Sequence, residues 1–412
     1  MAVFDKLLGE KGRGKGRTRG IGKVGRYELL HPLGCGGMAE VFKARACGPA
    51  GFERDIVVKR ILPQYTRDPD FVRMFADEAR ILGMMNHPNV VQAYEFGEDS
   101  GTLYLALEYV EGPSLSKILR TLRAANRPMP PVIVAYVARE ICRALDYVHR
   151  LEKADGQRMD VVHRDVTPSN IMLTPAGGVK LLDFGVAKFA TAAKSTRAGT
   201  VKGKPAYLAP EQLEGKTIDG RVDLFALGIV MHEMLTLQHL FAGDSDLHTA
   251  KKIMEMKIPS LSAKRDDVPP DLERIVMRAL ERDRKQRFAT AAEMARALDD
   301  FVLASRLHVD DVAAFIREVQ AMSGPPRLVY VNPDRQGPDP EEALTRRDRG
   351  LRLRMTARRM RTPRFAALAA LLLTMIGIGT AVGLHASTAA AHNNSGTPAA
   401  EHHSAAAATL AR

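Results

Sequence analysis

Five residues spread over the first half of the chain carry the groups expected of a centre that handles phosphate and a hard metal ion. Lys59 closes the β-rich run Ile56-Val57-Val58-Lys59, and Glu78 lies on the next helical segment, so a carboxylate can hold that ammonium against phosphate oxygens. His163-Arg164-Asp165 offers a carboxylate able to take a proton from a hydroxyl, and Asn170, five residues after Asp165, offers an amide oxygen for a cation. Asp183-Phe184-Gly185 adds a second oxygen ligand on a turn. Upstream, Leu33-Gly34-Cys35-Gly36-Gly37-Met38-Ala39-Glu40-Val41 sits between two strand-like runs, where glycines let backbone N–H groups approach phosphate oxygens closely. A plain Gly-rich hairpin or isolated surface charges would account for any one of these, but not for the series in this order.

Positioning such groups requires a scaffold, and its outline follows from periodicity. Short apolar runs from Tyr27 to about Cys47 and from Phe52 to Leu62, punctuated by Gly turns, predict antiparallel strands. Asp70 to Met85 has helical spacing and stops at His87-Pro88, where proline disfavours continuation. Thr102 to Val110 reads as a further strand. Helices are predicted over Val132–Arg150, Arg221–Leu237, Leu272–Leu280, Ala291–Leu303 and Asp310–Met322. Strands with one helix come first and a mostly helical half follows, which is a two-lobed α+β design.

With Ala209-Pro210-Glu211, Asp223 and Arg287 completing the series, the chain resembles the protein kinase family from about Tyr27 to Phe301. The Gly-Gly-Met loop and His87-Pro88-Asn89-Val90-Val91 are similar to the eukaryotic-like (Hanks-type) Ser/Thr kinases of bacteria with a single membrane span. The resemblance implies a bilobal fold using ATP and Mg²⁺ on protein substrates. It implies that Leu33, Gly34, Gly36, Gly37, Val41, Val57 and Leu173 enclose the nucleotide, with Leu107 as gatekeeper and Glu108 to Val110 as a hinge reading adenine through backbone groups. By the same resemblance Lys59, oriented by Glu78, holds α- and β-phosphates, Asp165 is the catalytic base, and Asn170 and Asp183 hold the metal. Glu211 and Arg287 are implied to form a buried ion pair, and Asp223 to brace the catalytic loop.

The sequence departs from that pattern in an instructive place. A lysine is usual two residues after the catalytic aspartate, where this chain has Thr167, and threonine is usual where it has Lys204. The two residue types are exchanged between segments that lie together in the fold, so Lys204 is expected to supply the ammonium and Thr167 the hydroxyl. Ala39 and Val57 also differ from the family's usual glycine and alanine. Arg164 before the base suggests control by phosphorylation of a loop whose acceptors are Ser195, Thr196 and Thr200. An alternative reading is a membrane-tethered pseudokinase scaffold, against which stands the presence of Lys59, Asp165 and Asp183.

Outside residues 27–301, with lobes expected at 27–107 and 111–301, the sequence changes character. Lys and Arg total 60 against 48 Asp and Glu. Much of the excess falls in two short blocks, Lys11–Lys23 and Arg346–Arg364, which are solvated or membrane-flanking rather than a folded face for nucleic acid. Three cysteines without CxxC spacing argue against a disulfide framework and suit a reducing cytosol. Residues 1–26 read as a flexible basic arm without the apolar stretch of a signal peptide. Residues 302–323 read as an accessory helix and 324–364 as a linker with an Arg-rich end.

Residues 365–384 carry no charge and, at 1.5 Å per residue, can cross a bilayer core of ~30 Å. The arginines before this stretch place residues 1–364 in the cytoplasm by the positive-inside rule, giving a single-pass inner-membrane protein with a short exported tail, 385–412. Gly377, Gly379 and Gly383 offer small surfaces on which two spans could pair as a homodimer.

Overall fold

The computed structural model describes residues 21–35, 38–153, 155–183 and 205–322. Two lobes are built from them. The first is a six-stranded antiparallel sheet in the order β1-β2-β3-β4-β6-β5: β1 (Gly22–Val24), β2 (Tyr27–Cys35), β3 (Ala39–Cys47), β4 (Glu53–Ile61), β5 (Ala93–Asp99) and β6 (Thr102–Glu108). Strand alternation divides its side chains between two cores. Phe42, Ala44, Ile56, Val58 and Ala106 close a small core on one face, while Ala39, Ile61, Leu105 and Leu107 join the main core on the other.

Helix α1 (Pro69–Gly83) packs on that second face. Asp68 caps it by accepting from the Asp70 and Phe71 amides at 2.9 and 3.4 Å, with Pro69 at the first helical position. Its buried residues, Met74, Phe75, Glu78, Ala79 and Leu82, form one stripe. Glu78 belongs to the stripe, so its carboxylate is carried into the sheet rather than into water.

The second lobe is helical: α2 (Leu115–Ala124), α3 (Pro131–His149), α4 (Pro210–Leu213), α5 (Arg221–Thr236), α6 (Asp246–Glu255), α7 (Pro270–Ala279), α8 (Ala291–Ala304) and α9 (Val309–Met322). Every residue of α5 from Val222 to Leu235 is buried, as expected of a helix apolar nearly all round, and α3 and α7 pack against it. A two-stranded ribbon, β7 (Ile171–Leu173) with β8 (Val179–Leu181), lies beside the short 3-10 turn Pro168–Asn170.

The predicted strands and helices agree with these elements to within a few residues, and three helices and four strands were not anticipated: α2, α4, α6, β1, β5, β7 and β8. The arm predicted over residues 1–26 needs correction, because β1 pairs with β2 inside it. Val24 is buried in the small core, and Gly25, at φ 52°, donates its amide to Asp99 Oδ2 at 2.9 Å. A Cβ at position 25 would meet Tyr104 Oη at 2.5 Å, so only glycine allows this turn.

At the other end α8 runs to Ala304, and α9 docks on the second lobe through buried Val312, Phe315, Ile316 and Val319. Arg127 grips Glu318 from α9 at 2.5 and 2.9 Å. Among the described residues no helix is long and apolar enough to cross a membrane. The predicted span 365–384, the linker, the tail and the rest of the basic arm lie outside the described residues.

Candidate active site

Backbone register brings the glycine-rich segment to the lysine. Gly34 faces Val41 across β2 and β3, and Val41 faces Lys59 across β3 and β4. Leu33 is exposed at the mouth of the cleft, while Gly36 and Gly37 lie outside the described residues. From β4 the Lys59 ammonium reaches Glu78 Oε1 at 2.6 Å and Asp183 Oδ1 at 3.1 Å. Burial by itself lowers the pKa of this amine, but attraction to Asp183 and Glu78 and hydrogen bonds to both outweigh burial and hold it above the ordinary lysine range. Lys59 is therefore a fixed cation, and Asp183, whose side chain is 45% exposed, presents its carboxylate to the cleft.

On the facing lobe, Asn170 donates its side-chain amide to the Asp165 carbonyl at 2.9 Å and to Asp165 Oδ2 at 2.5 Å. With its nitrogen spent on Asp165, the amide oxygen is the atom left to ligate a cation. The Asn170 carbonyl accepts from the Leu182 amide at 2.8 Å, which ties this residue to the segment carrying Asp183. Amide and carboxylate oxygens suit Mg²⁺, which is commonly held by one or two protein groups together with substrate phosphates and water. In keeping with so sparse a donor set, no cluster of three His, Cys, Asp or Glu fit for a metal occurs among the described residues.

The loop bearing Asp165 is held in a strained shape. Arg164 has φ 65° and Asp183 has φ 40°, both in the left-handed region that non-glycine residues avoid. Buried Asp223, from the first turn of α5, accepts the His163 amide at 2.9 Å, the Arg164 amide at 2.7 Å and His149 Nε2 at 2.8 Å. His163 adds a second tie: its Nδ1 accepts the Asp165 amide at 3.2 Å and its Nε2 faces the Leu182 carbonyl at 2.9 Å. Burial keeps that ring neutral by lowering its pKa, and the two contacts select the Nε2–H tautomer.

Hydrophobic walls complete the cleft. Val57 faces Leu107 across β4 and β6, and Leu173, on β7, is buried in the same core as Leu107 and Val110. The Glu108 amide is donated to the Gln92 carbonyl at 2.8 Å, and the Glu108 side chain pairs with Lys180 at 2.7 Å. Gly112, at φ 139°, lets the chain pass over β7, because a Cβ there would lie 2.0 Å from the Leu173 carbonyl oxygen.

Deeper in the helical lobe, Arg287 grips Glu211 through two bonds of 2.7 and 2.8 Å, and donates to the Glu281, Arg221 and Arg282 carbonyls. The buried pair and the Asp223 brace thus stand where sequence reasoning expected them. Thr167 is buried, and its hydroxyl meets Ser169 Oγ at 3.0 Å. Lys204, its expected counterpart, lies outside the described residues, as do Ser195, Thr196 and Thr200.

Sequence reasoning missed several residues that stand behind the site. His149 reaches Asp223 from the end of α3. Glu233 on α5 gathers Arg123, His239 and Tyr207, the last at 2.5 Å. No local pattern marks these, since most of the partners are remote in the chain, Arg123 lying 110 positions from Glu233 and His149 lying 74 from Asp223; only the polar residues inside otherwise apolar α5 hinted at them. An open cavity of about 730 Å³ lies between α3, α8 and His87, lined in part by the pairs Arg143–Asp299 and Arg150–Asp146, and shares no residue with the Lys59 cluster.

Comparison with known proteins gives a consistent result. The family described as "Protein kinase domain" matches residues 27–298. The chain is 41% identical over 278 residues to tyrosine-protein kinase MasK of Myxococcus xanthus (strain DK1622), covering 68% of this chain and 43% of that one. It is 38% identical over 275 residues to serine/threonine-protein kinase PknB of Mycobacterium leprae (strain TN), covering 65% and 42%. Against serine/threonine-protein kinase PrkC of Bacillus subtilis (strain 168) it is 33% identical over 290 residues, covering 70% and 42%. The alignments thus span less than half the length of these curated relatives. Among solved structures, the kinase domain of Mycobacterium tuberculosis PknI matches with TM-score 0.50 and 26% identity, over 68% of this chain and 98% of that one.

Proposed function

Because this chain belongs to the protein kinase family, we propose that it transfers the γ-phosphoryl group of ATP to Ser or Thr hydroxyls of proteins, its own activation loop included. The observation that carries this reading is the Lys59–Glu78 pair joined to Asp183, with Asp165 and Asn170 in contact across the cleft. Phosphoryl transfer asks a protein mainly for alignment and for positive charge beside the developing anion. Lys59 holds the α- and β-phosphates. Asp165 accepts the proton of the attacking hydroxyl, and its carboxylate is steadied by Asn170. Asn170 and Asp183 would hold Mg²⁺, which would supply positive charge to the phosphates. Leu33, Gly34, Val41, Val57, Leu107 and Leu173 enclose the base and ribose, with the hinge at Glu108–Val110.

In this reading Lys204 supplies the cation that Thr167 cannot, so Lys204→Ala lowers turnover while leaving ATP affinity near normal. Residues 365–384 anchor the enzyme in the inner membrane with the catalytic lobes in the cytoplasm, and pairing of these spans brings two copies together. The presence of Lys59, Asp165, Asn170 and Asp183 supports catalysis over a purely scaffolding role. A second acceptor chemistry has a specific observation behind it: Thr167 stands where Ser/Thr kinases usually carry lysine, and the relative MasK is named a tyrosine kinase.

The test is autophosphorylation and transfer to a generic protein with Mg-ATP, comparing the full chain with Asp165→Asn and identifying the phosphorylated amino acid. Phosphoserine and phosphothreonine in the wild type alone are expected. Phosphotyrosine as the main product would favour the second acceptor, and equal incorporation by Asp165→Asn would refute the mechanism.

A further inference from the structure

One charged side chain on the cleft face has no role in the site just described. Lys43 on β3 stands opposite Val57 on β4, which stands opposite Leu107 on β6. Side chains directly opposite on antiparallel strands share a face. Val57 and Lys59, two apart on one strand, also share a face, and from it Lys59 reaches Glu78 and Asp183. Lys43, Val57 and Leu107 therefore form the last row of that face to span all three strands before the hinge, and an ammonium ends an otherwise aliphatic row.

That ammonium is held from two sides. Lys43 Nζ lies 2.7 Å from Asp55 Oδ2, a residue two positions before Val57 on the same face, and 4.2 Å from the ring centroid of Tyr109. The Lys43 side chain is only 19% exposed, and a cation over an aromatic face gains strength as it loses water. Tyr109 is the residue between Glu108 and Val110, in the middle of the hinge.

We propose that Lys43 is a positioning residue of the nucleotide site: steered by Asp55 onto the Tyr109 ring, it straps the hinge to the sheet and fixes the backbone that receives the base. This rests on the reading of the chain as an ATP-dependent kinase. Lys43 contacts Asp55 and the Tyr109 ring rather than the Lys59 cluster, so its loss is expected to act on nucleotide affinity and not on the chemical step.

The experiment measures Mg-ATP binding to the full chain by displacement of a fluorescent nucleotide, together with KM for ATP and kcat. K43A and Y109L are each expected to raise Kd and KM about three- to tenfold, with kcat changed less than about twofold. K43R, which keeps a cation over the ring, restores affinity, and K43A/Y109L binds no more weakly than either single variant. Wild-type affinity in K43A, failure of K43R to restore binding, or multiplying effects in the double variant overturn the proposal. Failure of the wild-type chain to bind ATP would instead reject the kinase reading itself, so the two outcomes are distinct.

Discussion

Replacing Asp223 by Asn tests whether the catalytic loop is held in shape by one buried carboxylate. Asp223 Oδ1 accepts the Arg164 amide, and Oδ2 accepts both the His163 amide and His149 Nε2. Asparagine keeps a single acceptor oxygen. Turned toward Arg164, it sets an NH₂ group against the other two donors; turned the other way, it opposes the Arg164 amide. Hydrogen bonds to a charged group contribute about 1.5–3 kcal/mol each, so losing one or two, with partial relaxation, destabilises the domain by about 3 kcal/mol.

The effect on turnover should be larger than stability alone implies. Arg164 stays at φ 65° against a backbone cost of about 1–3 kcal/mol, and the amide bond to Asp223 opposes its relaxation. If the loop relaxes, Asp165 shifts, and a displacement of about 1 Å at a reacting group costs roughly 10²-fold in rate. Lys59 and Glu78 belong to the other lobe, so KM for ATP should change far less. Urea unfolding combined with steady-state kinetics reads both quantities. A variant with kcat within about threefold of wild type and stability within about 1 kcal/mol would refute the argument that Asp223 shapes the loop.

Two further predictions concern packing and protonation. Gly112→Ala puts a methyl group 2.0 Å from the Leu173 carbonyl at a φ of 139°, so hinge and β7 must separate; thermal unfolding should show a loss above about 2 kcal/mol together with weakened ATP binding. The pH dependence of stability has two parts. Burial draws His232 from an ordinary 6.5 down to about 4, so the unfolded chain takes up this proton first. Stability should fall as pH drops from about 6.5 to about 4, and His232→Leu should flatten that stretch of the curve. Glu233 has the depressed carboxylate sign: burial opposes ionisation, but bonds and charge from His239, Tyr207 and Arg123 bring it from 4.5 to about 2. Its contribution of roughly 3 kcal/mol is complete above about pH 4.5 and is lost on acidification toward pH 2, which Glu233→Gln should abolish.

Length helped without deciding what was legible in the sequence. Helix α3 shows its stripe over nineteen residues and α5 stands out as a long apolar run, whereas of two ten-residue helices α7 was expected and α2, with the stripe Leu115, Ile118, Leu119 and Leu122, was not. Strand β1 escaped because Gly22-Lys23-Val24 is rich in the residues of a loose arm; it is ordered by the partner strand and by the Tyr104 and Asp99 side chains that close over Gly25. Propensity is a weak guide where tertiary contacts supply the stability.

The chemical inventory was decided by the sequence alone: which residues can hold a cation, accept a proton or ligate Mg²⁺, and in what order they occur. Their convergence was not, because Lys59 and Asp183 are 124 positions apart and no local periodicity encodes a contact at that distance. Folding brings them together by burying the stripe of α1 against the sheet and by passing the chain over β7 at Gly112. The same holds for His149 on Asp223 and Lys43 over Tyr109, which are ordinary surface residue types until packing removes much of their water and sets them against specific partners.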